Sequence, residues 1–186
     1  DEIVKQMIRN DGGSGNVNIV WPQKLGIWDT ITKKEYDATW VFMNWEGVAA
    51  SGQHLELNAF RMKDYGIPYG YSPVLLASEA KIAECKEACR KFLQASKAGF
   101  LHAQQHPEEA AELLKPFVPE HESHINLPES QRVTGAYYGT EANWGSMEPE
   151  KVNEYLDWLY QHHLETVKLT AEEVMTNSLV PASPGN

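Results

Sequence analysis

Basic residues are scarce in this chain: 16 lysines and arginines stand against 26 aspartates and glutamates, a formal net charge of −10. A surface that reads nucleic-acid backbones needs a cationic excess, so no nucleic-acid partner is expected, and acidic membrane surfaces are disfavoured for the same reason. Long apolar runs are missing too. No stretch approaches the ~20 residues of a membrane span, so membrane insertion is not expected. The first residues also lack the basic, apolar and small-residue succession of a secretory signal, which leaves the compartment unread.

Cysteine is nearly absent. Cys85 and Cys89 are the only two, and they stand four apart on a predicted helix, where side chains share a face but a disulfide is awkward. They read as reduced thiols. There is no glycine-rich phosphate loop, no nucleophile elbow and no pair of catalytic carboxylates. The histidines are scattered: His162 and His163 are adjacent and point to different helix faces, while His121 and His124 lie in a polar connection without a third ligand. No catalytic residue, metal ligand or cofactor is therefore expected.

What the chain does have is enough apolar material, 42% of 186 residues, to fill a core. Ile3, Val4, Met7 and Ile8 recur at helical spacing up to the stop at Asp11, Gly12 and Gly13. Residues 17–20 read as a short strand, 24–32 as a helix, 37–43 as a strand with a nearly continuous apolar run, and 44–51 as a short helix. Residues 57–62 and 70–77 read as two more strands. Continuous apolar runs suit strands buried on both faces, so the expected class is α/β with a mostly parallel sheet. Beyond Ser78 no strand pattern returns. Helices are expected over about 79–105, 107–115, 128–140 and 149–165, with Ser78 as an N-cap and Pro107 in a first turn. The tail, 181–186, has nothing to bury and is expected to be disordered.

Four segments carry a resemblance to a known family. Phe92, Leu93, Ala95 and Gly99, followed by His106, Pro107, Glu108, Glu109, Ala110, Ala111 and Glu112, resemble a segment of the nitrate, alkanesulfonate and thiamine-pyrimidine binding proteins. Residues 144–152, from Trp144 through Pro149 to Val152, together with Leu156, Asp157, Trp158 and Leu159, resemble that family's final helix entry. Thr176, Asn177 and Leu179 resemble its close. The resemblance implies a type 2 periplasmic-binding-protein fold: residues 1–77 as the second α/β lobe and crossing strand, and 78–180 as helices belonging to lobe one. The first lobe's amino-terminal sheet has no counterpart here, so Phe92, Phe100, Leu113, Tyr155, Leu156 and Leu159 are expected to seek a second copy or a companion chain.

The candidate ligand-binding residues are Phe42, Asn44, Trp45 and Glu46, at the carboxyl end of an expected central strand where open α/β sheets hold ligands, and Tyr69 and Tyr71. Aromatic rings bracket a planar ligand, while the amide and carboxylate fix its orientation. Alternatively, Asn44 caps the following helix and Glu46 settles in its first turn. The expected function is binding of a small heteroaromatic or amine-bearing solute, such as a thiamine pyrimidine precursor, in the manner of an ABC-importer substrate-binding protein with a permease partner. Two alternatives stand beside it: an enzyme of the hydroxymethylpyrimidine phosphate synthase type, and a structural subunit derived from a binding-protein fold. The compartment follows from the choice: extracytoplasmic for a transport component, cytoplasmic or organellar for a synthase relative.

Overall fold

The structure is a computed structural model that describes residues 1–21 and 32–181. Among these, eight α-helices follow one another: α1 (Glu2–Asn10), α2 (Glu46–Gly52), α3 (Glu79–Glu84), α4 (Lys86–Gln105), α5 (Pro107–Leu114), α6 (Leu127–Gly135), α7 (Pro149–Gln161) and α8 (Ala171–Val174). Short 3-10 turns lie at Met62–Tyr65, Lys115–Phe117 and Glu120–Glu122. The expected helix over 24–32 and the tail over 181–186 lie, but for Thr32 and Pro181, outside the described residues.

The described residues contain no strand and no sheet, which overturns the expected α/β class and its parallel sheet. Residues 17–20, 37–43, 57–62 and 70–77 are instead irregular chain, apart from the turns that begin at Met43 and Met62. A strand exists only through the ladder it shares with a neighbour, and an apolar run cannot supply that neighbour. The side chains show the same thing: Phe42 is 59% exposed, Phe60 66% and Leu76 89%, where a central strand would bury them. In the last segment Pro73 also lacks the N–H that a ladder needs.

The helices have local causes. Ser78 caps α3, its hydroxyl accepting from Lys81 N at 3.2 Å. Asn126 caps α6 in the same way, accepting from Glu129 N at 3.2 Å. Pro107, Pro128 and Pro149 sit in the first turns of α5, α6 and α7, where a missing N–H costs nothing because that donor has no partner inside the helix.

The chain divides into two compact units. The first comprises Asp1–Trp21, Ala59–Arg90 and Ser146–Val180. Its centre is Ile67, 2% exposed, which the left-handed Gly66 (φ 67°) turns inward after the 3-10 turn. Asn10 at the end of α1 donates to Tyr65 O at 2.5 Å. An aromatic series runs along α7: Tyr69 meets Tyr155 edge-on at 5.5 Å, Tyr155 lies parallel to the buried Trp158, and Trp158 stacks on His162 at 4.3 Å.

Among the described residues the second unit takes in 32–58, Lys91–Gly145 and Pro181. Its core joins Val48 and Ala49 of α2 to Ile125, with Trp45, Leu127 and Val133 packed around them. Lys97 of α4 is also buried, and its ammonium reaches the Glu141 carbonyl at 2.6 Å and the Glu141 carboxylate at 2.7 Å. A buried charge without such partners would be costly. Of the side chains expected to seek cover, Phe92 is 58% exposed, Phe100 44% and Leu113 67%.

Candidate ligand-binding site

Residues 42–46 form one tight turn leading into α2. Trp45 N and Gly47 N both donate to Phe42 O, at 3.0 and 3.2 Å. Trp45 occupies the N-cap but has no side-chain oxygen with which to cap. Glu46 reaches back instead: its Oε2 accepts from Phe42 N at 2.8 Å, and its charge stands at the positive end of the helix. The alternative reading of Glu46, as a residue of the first turn, therefore describes one of its carboxylate oxygens.

Asn44 is fixed from α6. Its Nδ2 donates to Thr134 Oγ1 at 2.9 Å, and its carbonyl accepts from Ser130 Oγ at 2.6 Å. Thr134 Oγ1 in turn donates a hydrogen bond to Ser130 O at 2.7 Å. The amide, two hydroxyls and two carbonyls thus form a connected, half-buried network, which holds the turn more firmly than isolated bonds would. Sequence reasoning missed Ser130 and Thr134. Their spacing of one helical turn is visible in the sequence, but nothing in it ties them to a residue about ninety positions earlier.

Acceptor capacity and an aromatic face are among what remains open at the turn. Among the described residues neither Asn44 Oδ1 nor the second Glu46 oxygen takes a hydrogen bond, although a carboxylate offers about four lone-pair positions. The Phe42 ring is largely exposed and meets Trp40 edge-on at 6.4 Å, while Trp45 is half-buried against the core.

Tyr69 and Tyr71 belong to the first unit. Tyr69 is about one-third exposed beside Tyr155, and Tyr71 Oη accepts from Glu148 N at 2.9 Å. Desolvation, and secondarily Tyr69, pushes the Tyr155 phenol above the usual range. Two grooves in the second unit have other linings. One of about 330 Å³ is bounded by Ser96, Gly99, Phe100, Ala103 and Tyr138, and one of about 230 Å³ lies between α5 and α6 around Glu112, Lys115 and Asn126. The first is open and nearly all apolar, so it lacks the few fixed polar groups that orient a bound small molecule.

Residues 1–110 match a protein-family model described as NMT1/THI5 like. The chain belongs to that family. No curated protein matches it. The NMT1/THI5-like match contains the 42–46 turn, Tyr69, Tyr71 and the segment from Phe92 to Glu109, while the later segments that carried the resemblance, from Trp144 onward, lie beyond it. Membership agrees with the nitrate, sulfonate and thiamine-pyrimidine branch read from the sequence, and points to a binding-protein or thiamine-related role with a small-molecule ligand. No helix among the described residues is long and apolar enough to cross a membrane.

Proposed function

We propose that this NMT1/THI5-like chain binds a small heteroaromatic or amine-bearing solute, of the kind of a thiamine pyrimidine precursor, as the substrate-binding component of an ABC importer with a permease as its partner. Phe42, Asn44, Trp45 and Glu46 contact the solute; Tyr69 and Tyr71 are candidate ligand-binding residues of the first unit, considered by themselves. The observation that carries the reading is the chemistry left open at the 42–46 turn: an exposed ring beside two acceptor oxygens that take no hydrogen bond among the described residues. An exocyclic amine or a protonated ring nitrogen suits that edge, whereas nitrate and sulfonate bring acceptors of their own. The net charge of −10 favours the same choice, since it raises the local concentration of cations rather than anions.

The test is Glu46→Gln in the full chain, followed by the change in tryptophan fluorescence on adding a hydroxymethyl aminopyrimidine. A charge-assisted hydrogen bond is worth about 1.5–3 kcal/mol, so affinity should fall by roughly tenfold or more. Because Glu46 also holds Phe42 N, the melting temperature of the variant is measured alongside. Unchanged affinity in a folded Glu46→Gln protein contradicts the assignment.

A further inference from the structure

The junction between α4 and α5 carries nitrogen and oxygen donors that the solute site does not use. His102 lies in the last turn of α4 and His106 just beyond it. The hydrogen bond from His106 N to His102 O, 2.8 Å, keeps that turn helical, so the two imidazoles share a face with ring centroids 4.6 Å apart and planes 39° from each other. From the first turn of α5, Glu109 brings Oε2 to 3.3 Å from His102 Nε2. That 3.3 Å contact accounts for His102 and Glu109 alone. It leaves the exposed His106 ring, which makes no hydrogen bond among the described residues, without a reason for its place.

We propose that His102 and His106, joined by Glu109, bind one divalent first-row transition-metal ion. Two imidazoles one helical turn apart form a chelate, because the backbone has already fixed the second donor near the first. Imidazole suits the borderline ions, with copper(II) bound most tightly and nickel and zinc below it. Among the described residues no three histidine, cysteine or acidic side chains already converge in metal-binding geometry. The imidazole pair is thus the anchor, and the carboxylate, 61% exposed, turns to join it while water completes the coordination. The acidic net charge of the chain favours the cation's approach.

Two of the other histidines are placed differently. His124 Nδ1 lies 3.2 Å from the His121 carbonyl, and His162 is stacked on Trp158 with its Nδ1 2.8 Å from a backbone carbonyl. A bound ion would clip the end of α4 to the start of α5 across Gln105, His106 and Pro107.

Calorimetric titration of the metal-free full chain with zinc(II), together with the electron paramagnetic resonance spectrum of its copper(II) complex, tests the site. The expected result is one tight equivalent and nitrogen coupling from two imidazoles. His102→Ala or His106→Ala should each weaken zinc binding by about tenfold or more, the double variant should abolish that equivalent, and His121→Ala with His124→Ala should retain it. The exposed positions of His102 and His106 mean that these variants keep the parent's metal-free melting temperature, so a binding loss is not a folding loss. Unchanged affinity in the double variant, or loss confined to the His121 and His124 variant, overturns the proposal.

Discussion

Tyr155 shows how a single half-buried hydroxyl bears on stability. Desolvation favours its neutral phenol, and the neighbouring Tyr69 adds to the effect, so its folded-state pKa lies above the usual ~10. The folded protein therefore holds the proton more firmly than the unfolded chain does. The contribution is fully present below that usual value and is lost as pH rises through the folded one. Lys151 and Lys168, raised by their contacts with Glu148 and Asp157, act in the same direction at the surface. Tyr155→Phe should therefore shrink, without abolishing, the fall in melting temperature above about pH 10. A melting series across the alkaline range checks this, and an identical fall in both proteins would show that Tyr155 has no part in it. At the opposite end Glu2, whose pKa is lowered chiefly by its hydrogen bond from Arg9, contributes stability that disappears as pH falls through that depressed value.

At the scale of elements, the caps decide where helices begin. Asn126→Ala removes the side-chain acceptor at the start of α6 and should cost the second unit about 1 kcal/mol, read as a lower melting temperature or denaturant midpoint. A midpoint equal to the parent's would mean that packing of its Leu127 and Val133 against Val48, Ala49 and Ile125 sets the helix by itself. These starts were legible in the sequence because caps and first-turn prolines act locally, as Ser78 and Pro107 show. The sheet was misread for the opposite reason. Residues 37–43 and 70–77 have strand-like apolar runs, but a strand depends on a partner elsewhere in the chain, and here those runs leave Phe42, Leu75 and Leu76 exposed. The candidate site divides along the same line: the 42–46 turn was visible as a helix start, while Ser130 and Thr134, which hold Asn44, are reached only through the fold. Sequence reasoning passed over the pair His102 and His106, four apart, and took the histidines as scattered; the proposal for them comes from the ring positions and from Glu109.

Across the whole molecule, membership in the NMT1/THI5-like family rests on residues 1–110 and supplies the general role, while the acceptors of the 42–46 turn are the basis for proposing a donor-bearing ligand. The two arguments are independent, since one comes from similarity along the chain and the other from the acceptors left open at one turn. They meet in a single experiment: isothermal titration calorimetry of the unaltered full chain against a hydroxymethyl aminopyrimidine, nitrate and an alkanesulfonate. Saturable one-to-one binding of the aminopyrimidine, with little or no heat from the two anions, is the predicted result. Binding of nitrate or the sulfonate in preference to the aminopyrimidine would contradict it.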